Sequence, residues 1–381
     1  MKSIKYSSGG IYIHIPFCLT KCMYCDFYSI PDKHEQIQGF THALISEIEN
    51  SPYTNLGWEI DTIFIGGGTP TILGNHHLES IVNALHKRFN LSQLKEFTIE
   101  TNPGEVKPEL LKTLQSLGIN RLSIGVQSLF DKHLQFLTRI HTSEQAIQTI
   151  KMAKDIGFEN INADLIFGIP GQNLEEWTSD LKTIVDLDLQ HVSAYSLTVE
   201  QGTQLDKWVS SSKIMMPEDE LSLEMFYTAN QLMSDRGYNP YELSNFSKPG
   251  FECQHNLHYW RIEPYLAFGP SAHGFDGLTR WSNYNDLHQY MTSIENGNMP
   301  VKESYTIDEI EYANEIIGFG LRLKEGFQIN KLPKSVHTQF WKQYKQVINI
   351  YPECVDRSDD NISLTKKGMA FADAIASDFI L

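Results

Sequence analysis

The chain has 381 residues, 41% hydrophobic and 20% charged, enough to bury a large core and too apolar for wholesale disorder. A formal charge of −16 and a pI near 5.3 argue against a nucleic-acid partner, which selects a basic surface. No run approaches the roughly 20 apolar residues of a membrane span, and MKSIKYSSGGIYIHIPFC has no signal-peptide pattern, so the expected location is cytoplasmic.

Through the first two hundred residues, short β-rich runs alternate with segments of helical period. The runs are GIYIHIP, DTIFIGG, EFTIETNP, RLSIGVQ, NADLIFG and HVSAYSLT. Between the first two, Ile37, Phe40, Leu44 and Ile48 fall on one helix face. Between the last two, Leu174, Trp177, Leu181 and Ile184 do the same, and Asn173 with Glu176 forms a start signal. Six strands alternating with helices predict parallel βα units, and the number suits a barrel or partial barrel. Polar or glycine-rich residues follow most of the apolar runs: Gly66-Gly67-Gly68-Thr69-Pro70, Glu100-Thr101-Asn102-Pro103 and Gln127-Ser128, with Asp164 inside the fifth run. In a parallel barrel these strand ends build the active site.

The loop after the first strand carries three of the five cysteines, as PFCLTKCMYCDFYS. In a reducing compartment such a cluster reads as ligands or redox groups rather than disulfides. Cys18, Cys22 and Cys25 suit three corners of a 4Fe–4S cube, which leaves one iron open for a further ligand. A zinc knuckle completed by His14 or His34 is the alternative from spacing alone.

Past Gln201 the pattern changes. A helix is expected from Glu218 to Asp235, followed by the aromatic and histidine-rich YELSNFSKPGFECQHNLHYW and the turn GPSAHGF. From about Lys302 the chain turns helical, with Ile310, Ala313, Ile317 and Leu321 on one face and a second helix near Val336 to Val347. The last stretch reads as strand, turn, strand, helix, a winged-helix-like ending. Cys354 has no ligand-like neighbours and reads as a packed thiol.

CxxxCxxC, the aromatic Tyr24 before its third cysteine, and GGGTP one βα unit later resemble the signature of the radical S-adenosylmethionine (SAM) superfamily. Nearly the whole chain resembles the oxygen-independent coproporphyrinogen III oxidase-like family, and within it the HemW-like heme chaperone branch. The resemblance implies an α/β fold, a partial (β/α)6 TIM-like barrel with a small, mainly helical, winged-helix-like C-terminal domain. The implied divisions are a barrel core at 1–215, a family-specific extension at 216–301 and a C-terminal domain at 302–381. It further implies a 4Fe–4S cluster on Cys18, Cys22 and Cys25, with SAM chelating the open iron. SAM contacts would come from Tyr12, Tyr24, Gly67, Gly68, Thr69, Glu100, Gln127, Arg139 and Asp164. Each has a plainer reading: strand packing, a tight turn, a helix cap, a surface cation. Asp164, inside an apolar run, needs a partner in any case.

Two functions divide this family. Its oxidases carry a fourth cysteine two residues past the third and a long N-terminal extension. Here Phe27 holds that position and 17 residues precede Cys18, so oxidative decarboxylation of coproporphyrinogen III is not expected. HNLHYW matches the branch's HNxxYW motif and implies heme binding through His255, Asn256, Tyr259 and Trp260. Cys253 and His258 remain alternatives as iron ligands, and a packed aromatic strand is the plain reading. The implied partners are heme-accepting apoproteins, such as those of respiration, and a one-electron donor such as a flavodoxin or ferredoxin. A homodimer is also compatible.

Overall fold

The protein is described here by a computed structural model covering residues 6–53 and 57–381. Six parallel strands form its centre: β1 (Ser8–Ile15), β2 (Glu59–Gly67), β3 (Glu96–Thr101), β4 (Arg121–Gln127), β5 (Asn160–Phe167) and β6 (His191–Ser196). They are neighbours in that order. Ile, Val, Phe and Ala dominate their inner positions, and every residue of β4 is buried. That is the pattern of a parallel sheet covered on both faces.

Helices cover the outside. Ile37, Phe40, Leu44 and Ile48 all lie on the buried face of helix Ile37–Glu49. Helix Leu174–Asp186 starts at a reciprocal capping box: Glu176 N–H donates to the Asn173 side chain at 2.9 Å, and Asn173 N–H donates to Glu176 at 3.2 Å. Such a cap stabilises a helix by about 1 kcal/mol. Its Trp177, Leu181 and Ile184 are fully buried in the main core.

The six strands belong to a twelve-stranded sheet that does not close. Beyond β6 come Asn245–Ser247 and Asn239–Pro240, both antiparallel. Beyond β1, Tyr265–Phe268 adds in parallel, followed by the antiparallel strands His273–Phe275, Thr279–Asn283 and Val301–Thr306. The segment expected as an extension therefore widens the barrel sheet at both edges. The region from Lys302 begins with this last strand and turns helical only at Glu309. Residues 302–306 are exposed, so no buried alternation marks the strand in the sequence, and ladder pairing with Thr279–Asn283 defines it.

A second core lies at the C-terminal end. Helix Glu309–Gly320, helix His337–Ile350 and helix Ala372–Phe379 enclose Ile317, Leu321, Phe340 and Phe379 beside a three-stranded sheet that includes the hairpin Val355–Ser358/Asn361–Leu364. Cys354 is buried in this core as a packed thiol. No helix of the described residues is long and apolar enough to cross a membrane.

Candidate functional site

A cavity of 490 Å³ opens at the carboxyl ends of the barrel strands. Its walls include Cys18, Cys22 and Cys25, then Gly67, Gly68 and Thr69, and across from them Glu100, Gln127, Arg139 and Asp164. The residues lie far apart in sequence. They meet because all but Asp164 stand near or beyond the end of a strand, where side chains of a parallel barrel converge, and Asp164 reaches the cavity from within β5.

The cysteine loop is docked rather than loose. Met23, between the second and third cysteines, is buried in a small apolar cluster with Leu137, Ile166, Ile169, Leu197 and Leu205, and Tyr24 packs on it. Met23 N–H donates to Thr138 at 2.9 Å, and Leu205 N–H donates to Met23 O at 2.9 Å. All three cysteines are free thiols. Burial pushes Cys18 up to about 11 and raises Cys25. Thr69 Oγ1 donates to Cys18 Sγ at 3.7 Å and Arg139 Nη1 to Cys22 Sγ at 3.5 Å. The three sulfurs share a wall without converging at metal-binding distance, and among the described residues no group of three ligand side chains does. The donor chemistry fits an iron–sulfur cluster: three thiols whose protons a metal displaces, facing an open cavity.

GGGTP supports the loop from below. Gly68 N–H donates to Ile15 O and Thr69 N–H to Phe17 O, both at 2.7 Å. A Cβ on Gly68 would lie 2.5 Å from Phe17 O and 3.0 Å from Cys18 Sγ, so only glycine permits this approach. Gly67 has φ 108°, and its N–H donates to Glu100 Oε2 at 2.9 Å. Burial and then the charge of Asp164 push Glu100 up to about 8, with the Gly67 bond opposing. Asp164 accepts from Ser123 at 3.0 Å and from Asn162 at 2.9 Å, which supplies the partners its burial requires.

Arg139 is no surface cation. It donates to Asn102, to Gly125 O at 2.9 Å and to Cys22, so the guanidinium is held against the cysteine wall. Asn102 in turn donates to Thr69 at 2.8 Å. Asn102 therefore links the glycine turn to Arg139, a role for which the sequence carried only its place in ETNP. His141, two residues past Arg139, also lines the cavity. It is buried and held down to about 4, first by burial and then by the Arg139 charge, and its Nδ1 has no partner among the described residues.

Two expectations change. Tyr12 does not line the cysteine cavity. Its hydroxyl shares a 2.9 Å hydrogen bond with His14 Nδ1, and it faces a lower cavity inside the barrel. His14 has its other nitrogen 2.8 Å from Tyr28 O, so both ring nitrogens are engaged and neither is free for zinc. His34 is exposed on a turn of 3-10 helix and also joins no ligand group.

The second change concerns HNLHYW, which is a buried helix, Gln254–Trp260, rather than a strand or an open ligand face. Glu96, on β3, accepts from Gln254 N–H at 2.9 Å and His255 N–H at 3.0 Å, capping that helix. His255 is fully buried, with Nδ1 2.8 Å from Thr62 Oγ1 and Nε2 2.7 Å from the Tyr259 hydroxyl. His258 sits between Asp61 at 2.8 Å and Glu263 at 2.6 Å. Burial opposes its charge, yet these two carboxylates outweigh it and hold His258 up to about 9. Cys253 is fully buried, and burial pushes it up to about 12. As folded, the motif offers no ring nitrogen to an iron. Trp260 lies under Arg322, 4.6 Å from the ring, and packs on Phe319 of the C-terminal core. Asn256 and Tyr259 point the other way, into the barrel.

A partial parallel barrel with CxxxCxxC after its first strand and GGGTP after its second defines a radical SAM protein. The radical SAM superfamily model matches residues 12–184. The heme chaperone HemW of Bacillus subtilis is 33% identical over 97% of this chain and 98% of its own length. The heme chaperone HemW of Escherichia coli is 38% identical over 71% of each chain. The solved coproporphyrinogen III oxidase HemN of Escherichia coli, titled a radical SAM enzyme, shares the fold at a TM-score of 0.84. That likeness covers 99% of this chain and 91% of HemN, at 22% identity. The chain belongs to the HemW family of the radical SAM superfamily.

Proposed function

We propose that the protein is a radical SAM heme chaperone of the cytoplasm. Cys18, Cys22 and Cys25 hold a 4Fe–4S cluster, and the strand-end residues bind SAM against it. Heme is carried as cargo to apoproteins such as respiratory enzymes, with a flavodoxin or ferredoxin as electron donor. The observation that carries this reading is the single cavity in which three thiols face Glu100, Gln127, Arg139 and Asp164. The full-length relatives named heme chaperones support the cargo.

When bound, the cluster supplies one electron for reductive cleavage of the SAM sulfonium. The chain's own residues bind and orient. Glu100, as the carboxylate, would accept a hydrogen bond from a cationic amine, whose charge lowers its raised value and favours release of its proton to solvent. The Arg139 guanidinium faces the carboxylate end, and Gln127, turned inward by φ 66°, supplies an amide. Tyr24 and the apolar cluster below it exclude water from the cysteine loop. His255 becomes an iron ligand only after one of its ring nitrogens gives up its hydrogen bond, Nε2 that to Tyr259 or Nδ1 that to Thr62.

Two measurements test the reading. Heme added to reconstituted protein shifts its Soret band, and His255→Ala weakens the shift; an unchanged spectrum on adding heme sinks the cargo. Anaerobic incubation with coproporphyrinogen III, SAM and reductant yields no protoporphyrinogen IX. Steady turnover would reassign the protein as an oxidase, and Cys22→Ser controls for the cluster.

A further inference from the structure

Below the cysteine cavity lies a second one of 280 Å³, lined by residues of all six barrel strands and by Asn256 and Tyr259 of the motif helix. It shares Gly67, Glu100, Ser123, Asp164, Tyr195 and Phe27 with the cavity above. Arg121, on β4, lines it and is 2% exposed. Among the described residues its guanidinium makes no hydrogen bond or ion pair, and its Nε is buried without a partner. Burial opposes its charge, and Cys253, Glu96, Tyr241 and Asp164 favour it through space alone, so the charged form is held in place without a hydrogen bond. Glu96 is occupied by the motif helix's N–H groups, and Asp164 by Ser123 and Asn162. The Asn256 side chain also faces this cavity and, among the described residues, makes no hydrogen bond.

A buried guanidinium without an acceptor is costly, and its planar fork matches a carboxylate in two parallel bonds. We propose that this lower cavity is a carboxylate-binding site, with Arg121 as its anchor and Asn256 as a second donor, floored by the HNLHYW helix. The bound group is a carboxylate on a short chain that enters from the chamber above. Its source is either a free small acid or a propionate arm of a porphyrin. The motif then acts toward a ligand through Asn256 and Tyr259 on its barrel face, while His255 and His258 fix the helix in place. The porphyrin source rests on the functional reading above; the site itself does not.

The test uses cluster-reconstituted protein, wild type and Arg121→Met, with three probes: sodium propionate, heme, and heme dimethyl ester, whose carboxylates are masked. Wild type is expected to bind heme about ten- to a hundredfold more tightly than the ester, the scale of a charge-assisted pair, and Arg121→Met to bind both alike. A propionate-induced rise in melting temperature that Arg121→Met abolishes, with heme and ester bound equally, assigns the site to a free acid. Propionate stabilisation and heme-to-ester ratio both unaffected by Arg121→Met would overturn the proposal. Wild type that binds no heme ends the chaperone reading, and the propionate series still decides the site. Asn256→Ala, with the same readouts, serves if Arg121→Met does not fold.

Discussion

At the residue scale, the closest tolerance in the site is at Gly68. Its missing Cβ lets the glycine turn pass under Phe17 and Cys18 while two backbone bonds tie it to the end of β1 and to Phe17. Gly68→Ala places a carbon 2.5 Å from a backbone oxygen that has no room to move. The expected cost is about 2–3 kcal/mol, the range for overpacking a tight site. The checks are a urea midpoint and iron content after reconstitution. We expect less than half the wild-type iron, since displacement of Phe17 carries Cys18 with it; wild-type stability with full iron would refute this account. Here the sequence was informative because a glycine triplet is conspicuous. Asn102 and His141 were not, since an asparagine after a strand and a histidine after an arginine have many ordinary uses. Only the fold aims them into one cavity.

At the element scale, the motif helix is locked to the barrel by charge. His258 pairs with Asp61 on β2 and with Glu263 just past the helix, and its charged form is favoured up to about 9. Its ordinary value is near 6.5. The folded state therefore holds the proton more tightly, and this contribution is full below about pH 6.5 and is lost as pH rises through about 9. It amounts to about 2–3 kcal/mol for a pair this buried. Urea midpoints at pH 7 and pH 10 should show the loss in wild type. His258→Gln should be less stable at pH 7 and show a smaller loss between the two; parallel profiles would exclude the lock. The sequence singles out HNLHYW by composition, and its plain reading there, a packed aromatic strand, gives way to a helix. Seven residues of mixed aromatic and histidine composition show no period of their own, and the helix exists because Glu96 caps it and β1 and β2 cover one face.

At the scale of the whole molecule, the barrel and the added strands are held together by Glu47. It is 2% exposed, on helix Ile37–Glu49, and accepts from Gly269 N–H at 2.8 Å, Asn283 at 2.7 Å and the Tyr290 hydroxyl at 2.5 Å. Burial pushes it up to about 7, against the pull of these three donors. Because an acid with a raised value binds its proton more tightly when folded, this group costs stability as pH climbs from about 4.5 to about 7. Glu47→Gln should remove that slope from a urea-midpoint profile between pH 5 and pH 7.5. It should also cost about 1–3 kcal/mol at pH 5, since the amide N–H₂ replaces one acceptor; an unchanged slope would refute the assignment. The sequence by itself determined the six parallel strands, the helices between them, the cysteine loop and the glycine turn, because hydrophobic period and special residues are local signals. It also placed Glu100 and Gln127 at strand ends and Asp164 within the fifth strand, where barrel geometry makes them neighbours. Tertiary structure alone decided that Tyr12 faces the lower cavity, that Arg139 is braced on Cys22 and Asn102, and that the motif histidines are engaged. Those outcomes depend on which buried polar group finds which partner, for Cys22 and Arg139, Thr62 and His255, and Asp61 and His258 across more than a hundred residues, and burial energetics, not local pattern, selects among them.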